Sequence, residues 1–178
     1  SGHPDSTEIA PGDLVHVDFG VEYIGMHTDQ QQHAYVLRPQ ETAAPDGLIA
    51  ALAAGNRAQE LLMAEFTVGR TGNEVLRRGR ASAAAEGIDT TIYTHAIVLH
   101  GHAAGPTVGL WDQQGGVPGA GDYPLFANTA YSIELNVAVA VPEWNGQTIR
   151  IMLEEDAFFD GSAVDFLDGR QTELWLVG

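Results

Sequence analysis

Residues 12–29 read GDLVHVDFGVEYIGMHTD and carry the first clear strand pattern of the chain. Apolar and polar side chains alternate between residues 14 and 21, which predicts a β-strand that begins just after turn-forming residues. The chain becomes extended again over residues 29–37. The segment therefore predicts a β-hairpin.

Two acidic residues fall on opposite arms of this hairpin. If the turn is centred on Tyr23 and Ile24, paired positions sum to 47 and Asp18 lies opposite Asp29. Directly opposed residues have Cβ atoms about 4.5–5.5 Å apart, and two like charges at that separation destabilise a sheet. A bound cation would remove the repulsion, so the pair is a candidate metal site.

A second hairpin repeats the pattern. Strands are predicted over residues 131–141 and 148–159, with a turn at residues 142–146 between them. A turn centred in that loop sets Glu134 opposite Glu155. Again two carboxylates converge.

The neighbouring acids Glu154 and Glu155 lie on opposite faces of the second predicted strand. Glu155 shares its face with the apolar residues Ile149, Ile151 and Leu153. An unpaired carboxylate on such a buried face would be costly, whereas an ion pair with Arg150 would account for Glu154 on the other face. We therefore expect Glu155 to be the metal ligand, and a β-bulge would exchange the two.

Histidines are concentrated in the segment THAIVLHGH at residues 94–102. A metal site would use one of them as a ligand and another as a proton donor to the substrate, and the sequence leaves open whether His95 or His102 is the ligand. Three further histidines flank the first hairpin and are expected either to be structural or to contact the metal ligands without binding metal: His16, His27 and His33.

Four carboxylates and one imidazole form a hard, oxygen-rich set. Such sets suit Mn, Fe, Co or Zn, typically as two ions about 3.5–4 Å apart. An acidic pair on one hairpin is more often a solvated surface, and clustered histidines often belong to an ordinary loop. Two acidic pairs together with the histidines favour a metal site.

The composition excludes several classes of function. The chain has 178 residues, of which 24 are acidic and 8 basic, and its formal net charge of -16 opposes binding to nucleic acid or to an anionic membrane. Cysteine is absent, which rules out disulfides, thiolate ligands and a cysteine nucleophile. The length predicts one domain over residues 1–178.

Two helices complete the predicted elements. The first begins near Asp46, and the second begins with a capping box of Thr71 and Glu74 and ends at Gly87. A last strand is predicted over residues 173–177. Both helices are expected to be scaffold.

The candidate ligands occur in a particular order: Asp, a second Asp eleven residues on, then His, Glu and Glu. This order resembles the pita-bread metallopeptidases, which include methionine aminopeptidase, Xaa-Pro aminopeptidase and prolidase. The segments that carry the resemblance are Gly12-Asp13-Leu14-Val15, Val17-Asp18-Phe19-Gly20, Thr28-Asp29, His95 with His102 and Gly105, Ser132-Ile133-Glu134, and Glu155-Asp156-Ala157.

The resemblance implies an α+β pita-bread fold, with an antiparallel sheet, helices packed on one face, and no counterpart of the usual N-terminal half. It also implies two divalent ions, with Mn first and Co, Zn or Fe as alternatives. By this resemblance Asp18 would chelate one ion, Asp29 and Glu155 would bridge both, and His95 and Glu134 would hold the other. Glu134 would also move a proton.

The implied activity is that of a metallo-aminopeptidase similar to Xaa-Pro aminopeptidases, acting on a peptide substrate in the cytoplasm, with a homodimer as a possible assembly. His102 would bind the substrate and its tetrahedral intermediate, and His3 lies near the position of another active-site histidine. The alternative is a catalytically silent pita-bread domain that binds peptides or proteins. A creatinase-like hydrolase is disfavoured, because its chemistry does not use this metal set.

Overall fold

The structure is a computed structural model, and it describes residues 8–99, 101–102 and 105–178. Over these residues the chain forms two α-helices, α1 (Asp46–Met63) and α2 (Gly72–Ala85). It also forms twelve strands: β1 (Leu14–Phe19), β2 (Glu22–Tyr23), β3 (Met26–His27), β4 (Gln30–Val36), β5 (Thr90–Ile92), β6 (His95–Ala96), β7 (Thr129–Ser132), β8 (Leu135–Val141), β9 (Gln147–Leu153), β10 (Asp156–Phe159), β11 (Val164–Phe166) and β12 (Trp175–Val177).

The strands form three sheets and one short hairpin. Their orders are β1-β4-β12, β11-β10-β7-β6 and β5-β8-β9, and β2 pairs with β3. Neighbouring strands are antiparallel, apart from β12, which runs parallel to β4. The predicted antiparallel architecture is confirmed, and the parallel β12 is an addition that the sequence did not reveal.

The helices cover one face of the β5-β8-β9 sheet. Helix α1 packs on β8 and β9 and buries Leu48, Leu52 and Leu62, while α2 packs on α1 and β5. The capping box of Thr71 and Glu74 is confirmed at the start of α2. Neither helix in the described part of the chain is long and apolar enough to cross a membrane.

The first hairpin turns one residue later than predicted. Leu14 pairs with Tyr35 and Phe19 with Gln30, so paired positions sum to 49 rather than 47. The turn explains the difference. Two-residue hairpin turns require positive φ at their central residues, and here these residues are Ile24 and Gly25. Glycine adopts positive φ without strain, which favours a turn that includes Gly25.

The shift changes the partners of the first acidic pair. Asp18 is paired with Gln31, and Asp29 lies one residue before β4. In the same register Asp29 falls opposite Gly20, on the face that Asp18 also uses, since side chains two residues apart share a face. The predicted pairing is wrong, but the two acids still lie on one face as diagonal neighbours.

In the second hairpin each residue pairs with a partner one position earlier than predicted. Leu135 pairs with Leu153 and Val141 with Gln147, so the sum is 288 rather than 289. The loop contains five residues, 142–146, and Asn145 closes its 3-10 turn in the left-handed region. Glu134 therefore lies opposite Glu154, and the predicted pairing with Glu155 is wrong.

Three long extended segments are interrupted at the same level of the molecule. Residues 93–94 separate β5 from β6, residues 133–134 separate β7 from β8, and residues 154–155 separate β9 from β10. At these breaks the chain passes from one sheet to the next. The breaks bring polar residues together at the junction of the sheets.

Candidate metal centre

The junction of the sheets holds three overlapping groups of metal-binding side chains. Within each group, one ligand atom per residue lies within 4.8 Å of every other. The groups are Asp18, Asp29 and Glu154; His95, Glu134 and Glu154; and Asp29, His95 and His102. The first two groups share Glu154, so this carboxylate would be able to contact two cations that lie side by side.

Glu154, rather than Glu155, supplies the last carboxylate. Both side chains are 2% exposed. The carboxylate of Glu155 accepts hydrogen bonds from the backbone N–H of Gln171 at 3.0 Å and from Gln32 Nε2 at 3.2 Å. It belongs to none of the three groups, and the prediction that it converges with Glu134 is wrong.

The error has a physical reason. The apolar face of β9 is the face that α1 covers, and the side chain of Leu153 packs close to Gly55 of that helix. Glu155 follows this face, whereas Glu154 points to the side of the sheet that the helices leave free. The ion pair expected between Glu154 and Arg150 is also absent from the described residues, since Arg150 donates to Asn136 instead.

His95 has a buried nitrogen that no described group satisfies. Its Nδ1 lies 3.2 Å from the carbonyl oxygen of Ala96, which fixes the ring if that nitrogen carries the proton. Its Nε2 is buried without a hydrogen bond and faces oxygens of Glu154 at 3.4 Å and Glu134 at 3.7 Å. A divalent cation between these atoms would satisfy all three.

Asp18 and Asp29 reach the centre from the first hairpin. The carboxylate of Asp156 accepts from the backbone N–H of Asp29 at 3.3 Å, which ties the arm before β4 to β10. Asp156 is in turn paired with Ser132 across β10 and β7. The sheet register thus brings Asp29 towards the carboxylate of Glu154.

Glu134 is fixed through its backbone by Thr94. The Thr94 hydroxyl accepts from the Glu134 N–H and donates to the Glu134 carbonyl oxygen, each at 2.9 Å. Thr94 is fully buried. This reciprocal pair joins two of the strand breaks and leaves the Glu134 side chain free to turn to His95.

Two further residues bind the carboxylates, and sequence reasoning did not identify them. Gln31 Nε2 donates to Glu134 Oε1 and to Glu154 Oε2, both at 2.7 Å. The Ser132 hydroxyl donates to Glu154 Oε1 at 2.6 Å. Burial would raise the pKa of Glu154, but these bonds and His95 outweigh burial and lower it. A correct turn assignment would have revealed Gln31 as the partner of Asp18.

Burial and the crowding of negative charge raise the pKa values of three carboxyl groups at the centre. Burial and the charge of Glu154 raise the pKa of Asp18 and of Asp29. The same two causes raise the pKa of Glu134. Carboxylates so close together resist sharing the ionised state, so a cation among them would be strongly favoured.

His102 lies at the exposed side of the centre. Its ring stacks on that of His95, with centroids 4.5 Å apart and an interplanar angle of 30°. It groups with Asp29 and His95 but not with Glu134 or Glu154. His3 and His100 lie outside the described residues.

The residues present fit two divalent cations. Carboxylate oxygens and an imidazole are the ligands that Mn, Fe, Co and Zn accept, and two groups that share one carboxylate match a dinuclear arrangement. His95 Nε2, which is buried and has no hydrogen-bond partner among the described residues, is a donor atom that such a cation would satisfy.

Comparison with known proteins gives the family. The family model described as metallopeptidase family M24 matches residues 1–157. The chain belongs to this family. A search of curated proteins gave no significant match.

Solved structures show that this M24 chain has the pita-bread fold. An X-Pro aminopeptidase from Thermotoga maritima MSB8 matches with a TM-score of 0.70 and 19% identity, over 95% of this chain and 43% of that one. An Xaa-Pro dipeptidase from Bacillus anthracis matches with a TM-score of 0.68 and 20% identity, over 95% and 42%.

A third similar structure is the N-terminal domain of the FACT complex subunit SPT16 from chickpea (Cicer arietinum). Its TM-score is 0.65 at 9% identity, over 99% of this M24 chain and 42% of that chain. At these identities the likenesses define the fold alone. The chain spans less than half the length of the structures it matches.

Proposed function

We propose that the chain carries the dinuclear metal centre of an Xaa-Pro aminopeptidase-like enzyme, which hydrolyses a peptide bond near the N-terminus of its substrate. The observation that carries the proposal is the pair of ligand groups that meet at Glu154. Membership of metallopeptidase family M24 supports the same chemistry.

The ligands divide between two positions. Asp18 and Asp29 would hold one ion, His95 and Glu134 would hold the other, and Glu154 would contribute to both. Asp29 also approaches His95, which suits a second bridging role. Glu154 thus takes the role that the sequence assigned to Glu155. We propose Mn as the metal, with Co, Zn or Fe as alternatives.

Two divalent ions would supply Lewis-acid polarisation of the scissile carbonyl and a water that is acidic near neutral pH. The protein's own groups would do the rest. Glu134 is half-buried, with Oε2 facing His95 Nε2 at 3.7 Å, and we propose that it carries a proton from the attacking water to the leaving amine.

His102 would contact the substrate. It is exposed at the mouth of the centre and stacks on His95, which holds its ring beside the metal positions. A ring N–H there can donate to a carbonyl oxygen as negative charge develops on it. The substrate would be a peptide with a free amino terminus, and the net charge of -16 favours such a cationic group.

The proposal is tested by metal content and peptidase assays. Wild type should bind two Mn²⁺ per chain and cleave Xaa-Pro peptides, with Met-initiated peptides as the comparison. Asp29→Ala should lose both properties, whereas Asp165→Ala, which removes an exposed carboxylate on β11, should keep both. Wild type that binds no divalent metal would refute the proposal.

The second candidate is a catalytically silent binding module. The N-terminal domain of SPT16 has a similar fold, and its name, a subunit of the FACT complex, is not that of a peptidase. The five clustered ligands Asp18, Asp29, His95, Glu134 and Glu154 favour the enzyme. Tight Mn²⁺ binding without hydrolysis of any Xaa-Pro or Met-initiated peptide would favour the module. Cytoplasmic location and homodimerisation stay predictions.

A further inference from the structure

Gln31 is the most thoroughly connected buried amide at the centre. It is 2% exposed and sits in β4, opposite Asp18. Its backbone N–H donates to the carbonyl oxygen of Glu154 at 3.0 Å, as an isolated antiparallel bridge. Both the backbone and the side chain of this one residue therefore join β4 to the break between β9 and β10.

The amide of Gln31 has only one workable orientation. As metal ligands, Glu134 and Glu154 would both be ionised and would only accept hydrogen bonds, so the group between them must be the NH₂. The opposite end, Oε1, lies 2.9 Å from His16 Nε2, which must then donate. A flipped amide would set its oxygen against two carboxylates, so His16 holds the amide in the orientation that serves both acids.

Gln31 also binds only one oxygen of each carboxylate. It binds Oε1 of Glu134 and Oε2 of Glu154. The other two oxygens are Glu134 Oε2 and Glu154 Oε1, of which Glu154 Oε1 also accepts from the Ser132 hydroxyl. These oxygens face His95 Nε2 at 3.7 and 3.4 Å. The amide therefore presents one chosen oxygen of each acid to the nitrogen that has no partner.

We propose that Gln31 is a positioning residue for one of the two metal positions, the one formed by His95, Glu134 and Glu154. The inference rests on the proposed metal centre. By orienting two of the three ligands before the ion arrives, Gln31 lowers the ordering cost of binding there. At the other position, formed by Asp18, Asp29 and Glu154, its side chain binds only Glu154, so that position should depend on Gln31 less.

The test measures each position separately. Asp18→Asn should leave only the position formed by His95, Glu134 and Glu154. Glu134→Gln should leave only the position formed by Asp18, Asp29 and Glu154. Gln31→Met, which keeps the side-chain length and removes both donors, should weaken Mn²⁺ binding in the Asp18→Asn background by about 10–100-fold. In the Glu134→Gln background the change should be clearly smaller. Titration calorimetry with Mn²⁺ gives both dissociation constants.

The matched control is Gln32→Met. Gln32 is the next residue of β4 and also donates to a buried carboxylate, but that carboxylate is Glu155, outside the centre. This variant should keep the wild-type dissociation constants. Gln31→Asn, which shortens the amide by one methylene, should weaken the same position as Gln31→Met does.

The outcomes separate this inference from the proposed function. If wild type binds no Mn²⁺, the proposed function fails and the inference fails with it. If wild type binds two ions and Gln31→Met leaves both constants unchanged, the inference alone is overturned. Equal weakening in both backgrounds would mean a general structural role and would also overturn it. So would failure of both Gln31 variants to give the wild-type circular dichroism spectrum.

Discussion

Glu154 and Glu155 are adjacent and equally buried, yet their carboxylates serve opposite sides of the sheet. Glu154 meets the metal-binding side chains, and Glu155 accepts from the backbone of Gln171 and from Gln32. The side chains of an extended chain alternate between faces, so one residue of register decides which acid reaches the centre.

This difference predicts opposite behaviour for two similar substitutions. Glu154→Gln removes the carboxylate common to both ligand groups, and we expect Mn²⁺ affinity to fall by about 100-fold or more. Glu155→Gln should keep two Mn²⁺ per chain. Equilibrium dialysis with metal analysis makes the comparison. Loss of metal from Glu155→Gln with retention by Glu154→Gln would contradict the assignment.

Single-ligand variants should empty one position at a time. Asp18 belongs only to the group with Asp29 and Glu154, and Glu134 only to the group with His95 and Glu154. We therefore expect Asp18→Asn and Glu134→Gln each to bind one Mn²⁺ instead of two. If either variant still bound two ions with wild-type affinity, its residue would not be a ligand.

Substitutions of the two stacked histidines should have different effects on metal content. His95→Ala removes a buried ligand and should lose metal, whereas His102→Ala should keep two Mn²⁺ per chain. We expect His102→Ala to lower kcat on an Xaa-Pro peptide by about 100-fold, because it removes a donor to the developing oxyanion. A His102→Ala enzyme with less metal and unchanged kcat per bound metal would reverse the two roles.

Much of the fold and centre follows from the sequence, because alternation and capping are local signals. The predicted helices, the two hairpins and the capping box at Thr71 are present, and the order of the ligands predicted the family. The side chains of Asp18, Asp29, His95 and Glu134 come together as the sequence led us to expect. Their roles as ligands stay predictions until metal binding is measured.

The rest depended on register and on which face of a sheet is covered. Gly25 moved the first turn by one residue, which made Gln31 the partner of Asp18. The apolar face of β9 proved to be the helix-covered face and not the face of the centre. In β1, likewise, apolar Val17 and Phe19 are exposed while the polar face turns to the centre. Alternation cannot tell these faces apart.

Substitution of two glycines tests how closely Gly109 packs against Ile92, the last residue of β5. Gly109 and Gly87 have nearly equal positive φ values, 78° and 75°. A Cβ on Gly109 would clash with the carbonyl oxygen of Ile92, whereas one on Gly87 would meet nothing within 4 Å. We expect Gly87→Ala to cost about 1–2 kcal/mol, and Gly109→Ala about 1–3 kcal/mol more. Urea unfolding measures both, and equal losses would show that the contact with Ile92 is not tight.

His33 should make the metal-free protein less stable in mild acid. It is 1% exposed, its ring nitrogens have no hydrogen-bond partner among the described residues, and its ring lies 4.9 Å from that of His16. Burial, together with the neighbouring His16, lowers the pKa of His33 to about 4.

The sign of the effect follows from proton binding. Between pH 6.5, near the pKa of an unfolded histidine, and pH 4, the unfolded chain binds more protons at His33 than the folded chain does. The contribution of His33 to stability is therefore present above pH 6.5 and is lost as the pH falls towards 4. Relative to His33→Leu, wild type should lose about 2 kcal/mol of unfolding free energy between pH 7.5 and pH 5. Urea unfolding in EDTA at the two pH values measures the difference.

The acids of the metal centre titrate in the same pH range, so the absolute pH dependence of either protein does not isolate His33. The difference between wild type and His33→Leu does, because both keep the same carboxylates. His27→Leu, at a half-buried position in β3, controls for the removal of an imidazole and should follow wild type. If His33→Leu and wild type lost equal stability between the two pH values, His33 would have to be protonated in the folded protein, with a polar partner or water reaching its ring.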